Sequence, residues 1–387
     1  MEERKTFETF SLLGGPLHRL GRRLGLVRGR RNTVALGLAL GVIPWAVLVA
    51  LALAAGAGHR LFSLSVIGAH VRLLLVVPLF FLCESWLSPR STTFVSMIVR
   101  SKVVTRNSLP ALEAEIARAG WWRESWLPEA ICLVGAALMS LGGSGLDLPG
   151  TTGAPDPGRS ATGALMAGLW YWIICLPLFR FLVLRWLWRL GLWSYFLWRV
   201  AKLELDLVPT HPDTAAGLGY LEVVHNHFTP LILALSSLQA AALAEEISTG
   251  TATFDAIYPA FALVLVVDAV LFVGPLLIFT PKLWACRVKG LSNYMEFASS
   301  YVSGFDRKWR GAERTPAEPL LGTPDLQSLA DLANSVNIVR NMRLVLASRR
   351  MLVDFAISAM LPVLPLLLLK YPIADLSQRF FSRLIGL

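Results

Sequence analysis

The stretch SLSVIGAHVRLLLVVPLFFL, residues 63–82, is apolar along most of its length but carries Arg72 near its middle. A second stretch, AIYPAFALVLVVDAVLFVGPLLIF at residues 256–279, carries Asp268 in the same way. About 20 apolar residues in a helix cross a hydrocarbon core about 30 Å thick. At about 1.5 Å of rise per residue, each charge lies about 14–16 Å from the start of its apolar run. The two stretches therefore predict membrane-spanning helices, each with one charge near the centre of the bilayer.

The composition of the whole chain supports an integral membrane protein. Of 387 residues, 55% are hydrophobic and 16% are charged, against about 25% charged residues in soluble domains. The formal net charge is +10. In a membrane protein such an excess is typical of cytoplasmic loops that contact anionic lipid. We therefore expect the lipid bilayer, with anionic lipid at a basic cytoplasmic face, as a partner, and we expect no nucleic acid.

Seven segments are candidates for membrane spans, and the predicted fold class is an all-α polytopic membrane protein with about seven transmembrane helices and cytoplasmic helical segments. The seventh contains Pro362 and Pro365, so it either crosses the membrane or turns back. If it crosses, the tail after it is expected to be an amphipathic helix at the outer interface. The predicted spans are 33–57, 62–86, 127–144, 162–186, 216–243, 254–280 and 351–370.

Basic residues predict the orientation of these spans. Arg and Lys are concentrated before span one and after spans two, four and six, whereas the alternate loops contain few of them. The positive-inside rule therefore predicts a multi-pass protein with a cytoplasmic N-terminus. High Leu, Ala and Arg usage indicates a bacterial source, and hence the bacterial inner (plasma) membrane.

The same reasoning divides the chain into alternating cytoplasmic and membrane segments. The expected segments are a basic N-terminus at 1–32, spans one and two within 33–86, a helical cytoplasmic loop at 87–126, spans three and four within 127–186, an interfacial segment at 187–215, spans five and six within 216–280, a helical cytoplasmic block at 281–350, and span seven with its tail at 351–387.

Two details of these segments carry expectations of their own. Thr323, Pro324 and Asp325 have the sequence of a helix start. The helix that they begin either runs as one unit from 324 to 369 or packs on the other loops as a surface helix. Near the cytoplasmic ends of the spans, charged side chains are interpreted as reaching water, either by snorkelling or directly: Glu84, Arg180, Arg185 and Asp354.

Several polar residues of spans two, five and six are candidates for a polar centre. His and carboxylate side chains exchange protons within membranes, so one interpretation is a proton- or ion-linked transport site. The alternative is a structural Arg72–Asp268 ion pair that holds the helices in register, with hydrogen-bonded histidines. The candidates are Arg72, Asp268, His70, Glu222, His225 and His227.

Other chemistry receives little support from the sequence. Carboxylate-bridged metal sites need two Glu-x-x-His motifs, and this chain has only Glu222 with His225. No GxSxG motif and no phosphate-binding glycine loop is present. The segment from His211 to Asp213 precedes span five, where Asp213 is expected to cap the helix. We therefore expect no cofactor and no bound metal. The sequence favours a protein that is not an enzyme.

Three functions remain open on this evidence. The first is an inner-membrane channel or secondary transporter for a small ion or solute, with proton linkage as one form. The second is a non-transporting scaffold or sensor that binds a cytoplasmic protein through residues 282–350. The third, less favoured, is a membrane-embedded enzyme that modifies lipids, acting at His211, Asp213 or Glu222. A homo-oligomer is compatible with each.

Overall fold

The computed structural model describes residues 11, 14–27, 33–56, 61–141, 162–310 and 323–370. Of the described residues, 82% are helical, and they contain no strand beyond an isolated bridge between Val104 and Leu205. We number the helices in chain order: α1 (Pro16–Arg23), α2 (Val34–Ala54), α3 (Leu64–Arg100), α4 (Leu109–Glu124), α5 (Leu127–Leu141), α6 (Met166–Lys202), α7 (Tyr220–Thr249), α8 (Phe254–Leu277), α9 (Thr280–Arg310), α10 (Pro324–Arg340), α11 (Arg349–Met360) and α12 (Val363–Lys370).

Five of these helices are long and apolar enough to cross a membrane: α2, α3, α6, α7 and α8. The third predicted span corresponds to α5, which is apolar but has only 15 residues. A helix of that length extends about 22 Å, which is shorter than the hydrocarbon core. The chain is therefore an integral membrane protein, as predicted, with five full-length spanning helices in its described part.

Two of the spanning helices are longer than predicted. Both α3 and α6 have 37 residues. Each continues past its apolar stretch into a sequence that mixes polar and aromatic residues. The segment predicted to be interfacial, 187–215, is therefore largely the end of α6. Helix α3 continues to Arg100 although Pro89 lies in its extended end, and α6 continues to Lys202 through the single glycine Gly191.

The end of the chain differs most from expectation. Helix α10 ends at Arg340, and residues 341–348 are not helical, so the single helix from 324 to 369 does not form. The surface-helix alternative holds, because α10 packs along α9. The seventh predicted span is two short helices, α11 and α12, separated at Leu361 and Pro362. Proline cannot donate the backbone hydrogen bond that would join them. The predicted amphipathic tail lies outside the described residues.

The centre of the membrane bundle is α7, with α3 beside it. About 67% of the apolar window of α7 is buried, against 28% in α2 and α8. Its buried face carries small side chains, which let neighbouring helices approach closely: Ala234, Ser236, Ser237, Ala240 and Ala241. Helix α7 contacts α3, α8, α11 and α12. The peripheral helices expose apolar side chains where lipid would surround them.

Helix α2 packs on α3 through two glycines four residues apart. A Cβ atom at Gly37 would lie 2.6 Å from the Cβ of Phe81, and one at Gly41 would lie 2.2 Å from the carbonyl oxygen of Leu73. The Gly-x-x-x-Gly spacing places both glycines on one face of α2, where the missing side chains allow backbone contact.

The two ends of the bundle have different character. One end collects α1, α4, the loop at 203–219, α9 and α10, and we call it the basic end. Contacts join these parts: Val104 pairs with Leu205, Lys282 donates to the carbonyl of Leu203, and Arg343 donates to Glu222. The opposite end contains the short connections α2–α3 and α7–α8, where Glu245 accepts a hydrogen bond from the backbone of Gly68 at 2.7 Å.

Candidate functional site

Three of the spanning helices contain a π-helical segment in their interior. These segments are Val71–Val76 in α3, Tyr171–Cys175 in α6 and Ala269–Val273 in α8. A π turn holds more residues than an α turn, which displaces the backbone locally, and such turns are frequent at functional sites. Each segment includes or directly follows a polar residue: Arg72, Tyr171 or Asp268.

Arg72 lies in the first π segment and is 3% exposed. Its Nη1 donates a short hydrogen bond to the hydroxyl of Tyr171, in the π segment of α6. Within the described residues, its Nε and Nη2 have no hydrogen-bond partner. The Glu245 carboxylate is near enough to attract the Arg72 charge. Arg72 therefore joins α3 to α6, and the Glu245 carboxylate of α7 lies within electrostatic range of its charge.

Asp268 lies directly before the third π segment and is 4% exposed. Neither carboxylate oxygen has a hydrogen-bond partner in the described part of the chain. The Arg72–Asp268 ion pair considered from the sequence is therefore not formed, because Arg72 is directed to Tyr171 on another helix. Because Arg72 bonds to Tyr171 instead, no charge of opposite sign is paired with the buried Asp268 carboxylate in the described residues.

Asp268 lines a cavity of about 350 Å³ between α6, α7 and α8. Apolar side chains form most of its wall. The charged or amide side chains in the wall are Asp268, Arg180 and Gln239. Arg180 donates to the hydroxyl of Ser140 on α5 at 3.0 Å. The cavity is thus an apolar space at the level of the spanning helices, with the Asp268 carboxyl group in its wall.

Two histidines predicted for the polar centre have both ring nitrogens occupied. His70 Nδ1 accepts from Trp45 Nε1 at 2.8 Å, and its Nε2 lies 2.7 Å from the carbonyl of Leu61. The fully buried His225 Nε2 accepts from Trp193 Nε1 at 3.1 Å, and its Nδ1 lies 2.7 Å from the carbonyl of Phe272. A carbonyl only accepts, so the second nitrogen of each ring carries the proton. Both are therefore neutral rings that hold helices together.

The other two candidates lie towards the basic end. His227 sits where α7 is interrupted, with Nε2 accepting from Arg90 at 3.2 Å. Glu222 accepts from Arg343 at 2.5 Å. Among the described residues, no hydrogen bond or ion pair joins any two of the six predicted site residues. The contacts divide them between separate neighbourhoods rather than one polar centre.

A buried charge network at the basic end was not recognised from the sequence. Glu84, 3% exposed, lies 3.3 Å from Arg185 and 2.5 Å from Arg189, and Arg185 also lies 3.0 Å from Glu129. The interpretation of Glu84 and Arg185 as groups that reach water is therefore wrong. A signal was available, because Arg185 and Arg189 are one turn apart on α6 and so present two charges on one face.

This network also holds the N-terminal segment against the bundle. The backbone N–H of Leu17 donates to Glu129 at 2.9 Å, and Arg189 donates to the carbonyl of Gly14 at 3.0 Å. A Cβ atom at Gly15 would lie 2.4 Å from a Glu129 carboxylate oxygen, and the φ angle of Gly15 is +92°. Glycine at this position therefore permits both the left-handed backbone and the close approach.

The loop before α7 is ordered by the carboxylate of Asp213. Its oxygens accept from the backbone N–H groups of Ala215, Gly217 and Gly219 at 2.8–3.2 Å. These groups precede α7, so Asp213 orders the loop and does not cap the helix as predicted. The loop contains φ values of +56° at Thr214 and +55° at Ala216, conformations that non-glycine residues rarely adopt.

The pKa of Asp213 lies below its ordinary value of 3.8. Partial burial by itself would raise the pKa, but the three backbone N–H donors and His211 stabilise the carboxylate and lower it. The charged form is therefore favoured by folding. Its contribution to stability is complete above the ordinary pKa and is lost as the pH falls through the lower pKa of the folded loop.

We expect Asp213→Asn to destabilise the loop by about 1–3 kcal/mol, because hydrogen bonds to a charged acceptor are replaced by weaker ones. Hydrogen–deuterium exchange of residues 208–219 measures the effect at neutral pH. The difference in thermal stability between wild type and variant should shrink as the pH falls below 3.8. The exposed residue Asp255 provides the control, since Asp255→Asn should leave this loop unchanged. A difference that grows on acidification would contradict the assignment.

No metal site is evident in the described ranges, where no group of three His, Cys, Asp or Glu residues lies close enough to hold an ion. Comparison of the chain with protein-family models, with curated proteins and with solved structures found no match.

Proposed function

We propose that the protein is a channel or secondary transporter for a small ion or solute, with Asp268 as its intramembrane binding group. The observation that carries the proposal is the buried Asp268 carboxylate, which faces the cavity and has no hydrogen-bond partner among the described residues. A charge in the centre of a membrane costs several kcal/mol unless it is protonated, paired or hydrated. Asp268 must therefore hold a proton or a positively polarised ligand.

The local structure supports a role in movement through the membrane. The π segment directly after Asp268 is followed by Gly274 and Pro275, so α8 changes its hydrogen-bonding pattern twice within a few residues. Such segments allow a helix to bend or rotate at a defined place. A proton-linked mechanism follows naturally, because a carboxylate that binds either a proton or a cation couples the two.

The orientation belongs to the same proposal. We place the basic end in the cytoplasm of a bacterial cell, with the chain in the inner membrane, because Lys and Arg concentrate on that side. Anionic lipid would then contact the basic end.

The test is ion, proton and solute flux into liposomes that contain purified protein. We expect Asp268→Asn to reduce flux at least tenfold, because the amide cannot take up or release a proton. Asp255→Asn makes the same chemical change at an exposed position near the start of α8 and should keep wild-type flux. Thermal unfolding in detergent checks that each variant is folded. Wild-type flux in folded Asp268→Asn would rule out the assignment.

A second function is favoured by the surface of α9. Apolar side chains recur there with the seven-residue spacing of a coiled coil: Trp284, Val288, Leu291, Met295, Ala298 and Val302. Trp284, Val288, Met295 and Val302 are exposed, whereas Leu291 and Ala298 are half-buried in this helix, which also packs on α10. This stripe suits a scaffold or sensor that associates through the predicted cytoplasmic block, with a second copy of the chain as the simplest partner.

Cysteine cross-linking tests this second function. In a parallel pair of α9 helices, Met295→Cys should form a disulfide between two copies, because its position faces the partner. Ser300→Cys lies on the opposite face of α9 and should not cross-link. Val288→Glu should abolish the Met295→Cys product. Equal cross-linking at both cysteines would show random collision and contradict a specific pairing.

A further inference from the structure

The cavity beside Asp268 has the size and lining of a binding site for an organic molecule. Its volume of about 350 Å³ falls within the range of small-molecule sites, about 300–1,000 Å³. Leucine and valine side chains from α6, α7 and α8 supply most of the wall. A small hydrated metal ion needs about six oxygen ligands, which this wall does not offer. The lining therefore favours a ligand with a large apolar surface.

Aromatic rings form one side of this cavity. Phe80, Phe179 and Trp186 all line it, and Phe80 lies 6.4 Å from Phe179 and 6.3 Å from Trp186 between ring centroids. The face of an aromatic ring attracts a cation, most strongly when both are removed from water. This side of the cavity therefore adds a preference for positive charge to the preference for apolar surface.

The charges in the wall point the same way. Asp268 is 4% exposed and its two oxygens have no partner in the described residues. Arg180, the charge of opposite sign, donates to Ser140 on α5. Trp193 and Phe272 both bond to His225, which gives α6 and α8 a common level. Arg180 lies 13 residues before Trp193 and Asp268 lies four residues before Phe272, so Arg180 is about two and a half helical turns, or about 13 Å, farther from that level than Asp268. A ligand beside Asp268 therefore meets a negative charge.

We infer that this cavity binds hydrophobic organic cations, with the positive centre against Asp268 and the apolar groups against the leucine, valine and aromatic walls. The inference rests on the proposed function, since it names the substrate class of the same site. Such cations lose little hydration free energy when they enter an apolar space. Burial of their apolar surface then favours binding by about 25 cal/mol per Å². A strongly hydrated cation gains neither advantage.

The probe is radiolabelled tetraphenylphosphonium, whose equilibrium binding to purified protein in nanodiscs is measured without any transport step. We expect saturable binding that Asp268→Asn weakens at least tenfold and that Asp255→Asn leaves unchanged. Val264 lines the cavity, so Val264→Trp fills part of the cavity without changing a charge and should also weaken binding at least tenfold. Tetraphenylborate has nearly the same shape with the opposite charge, and radiolabelled tetraphenylborate, measured separately because the two ions associate in solution, should show no saturable binding.

The outcomes separate this inference from the proposed function. Equal binding of tetraphenylphosphonium to wild type and to folded Asp268→Asn, or saturable binding of tetraphenylborate on its own, would overturn the hydrophobic-cation site. If flux of another solute depends on Asp268 while tetraphenylphosphonium does not bind, the transporter proposal stands and the substrate class is wrong. If tetraphenylphosphonium binds through Asp268 but no flux is found, the site is confirmed and the transport function fails.

Discussion

Replacing Glu84 with glutamine is expected to destabilise the protein by about 3–5 kcal/mol, the usual cost of removing one partner from a buried ion pair. Glu84 is the carboxylate that lies between Arg185 and Arg189, and all three side chains are buried. Glutamine keeps the size of the side chain but removes the negative charge. Two guanidinium groups would then face each other with only Glu129 to balance them.

The effect of Glu84→Gln is measured by thermal unfolding in detergent, followed through tryptophan fluorescence. Glu296→Gln makes the same change on the exposed surface of α9 and should alter stability by no more than about 0.5 kcal/mol. The N-terminal segment should also become more accessible to protease, because Arg189 and Glu129 bind Gly14 and Leu17. Equal stability of the two variants would show that the network does not hold the bundle together.

Alanine at Gly41 is expected to destabilise the protein, whereas alanine at Gly191 is expected to stabilise it. The new methyl group at Gly41 would lie 2.2 Å from the backbone oxygen of Leu73, so α2 must move away from α3. Overpacking of this kind costs about 1–3 kcal/mol or more. Gly191 is inside α6, and a Cβ atom added there would meet no side chain and no other helix within 4 Å, so alanine should add up to about 1 kcal/mol through helix propensity.

The opposite signs make this comparison decisive, since both variants replace a helical glycine by the same residue. Thermal unfolding in one detergent gives the two shifts directly. The Leu73 oxygen belongs to the first π segment, next to Arg72. Gly41→Ala should therefore also disturb the Arg72–Tyr171 hydrogen bond. A stabilising effect at Gly41 would mean that α2 does not pack on α3 at this distance.

Local rules predicted much of the architecture correctly. The apolar stretches around Arg72 and Asp268 form spanning helices, and the start of α10 follows Thr323 as its cap sequence indicated. Prolines at 362 and 365 signalled the interruption between α11 and α12. These features depend on hydrogen bonds and side chains within a few residues of each other, so they can be recognised without knowing the packing.

The partners of the charged side chains could not be predicted in the same way. The position of Arg185 near the end of a span predicts that it snorkels to water, yet it is buried against Glu84 and Glu129, which lie on two other helices. His225 seemed a candidate proton carrier, yet Trp193 and Phe272 occupy both of its ring nitrogens. Depth within a helix follows from counting residues. Which side chain lies opposite depends on how the helices are rotated against each other.

The sequence by itself determined that this is an all-α membrane protein and that Arg72 and Asp268 lie deep within spanning helices, because hydrophobicity, length and helical rise are local properties. Only the tertiary structure decided that Arg72 bonds to Tyr171 while Asp268 faces an apolar cavity without a described partner. The physical reason is that pairing and cavities arise where three or more helices meet, and the contact surfaces of those helices come from distant parts of the chain.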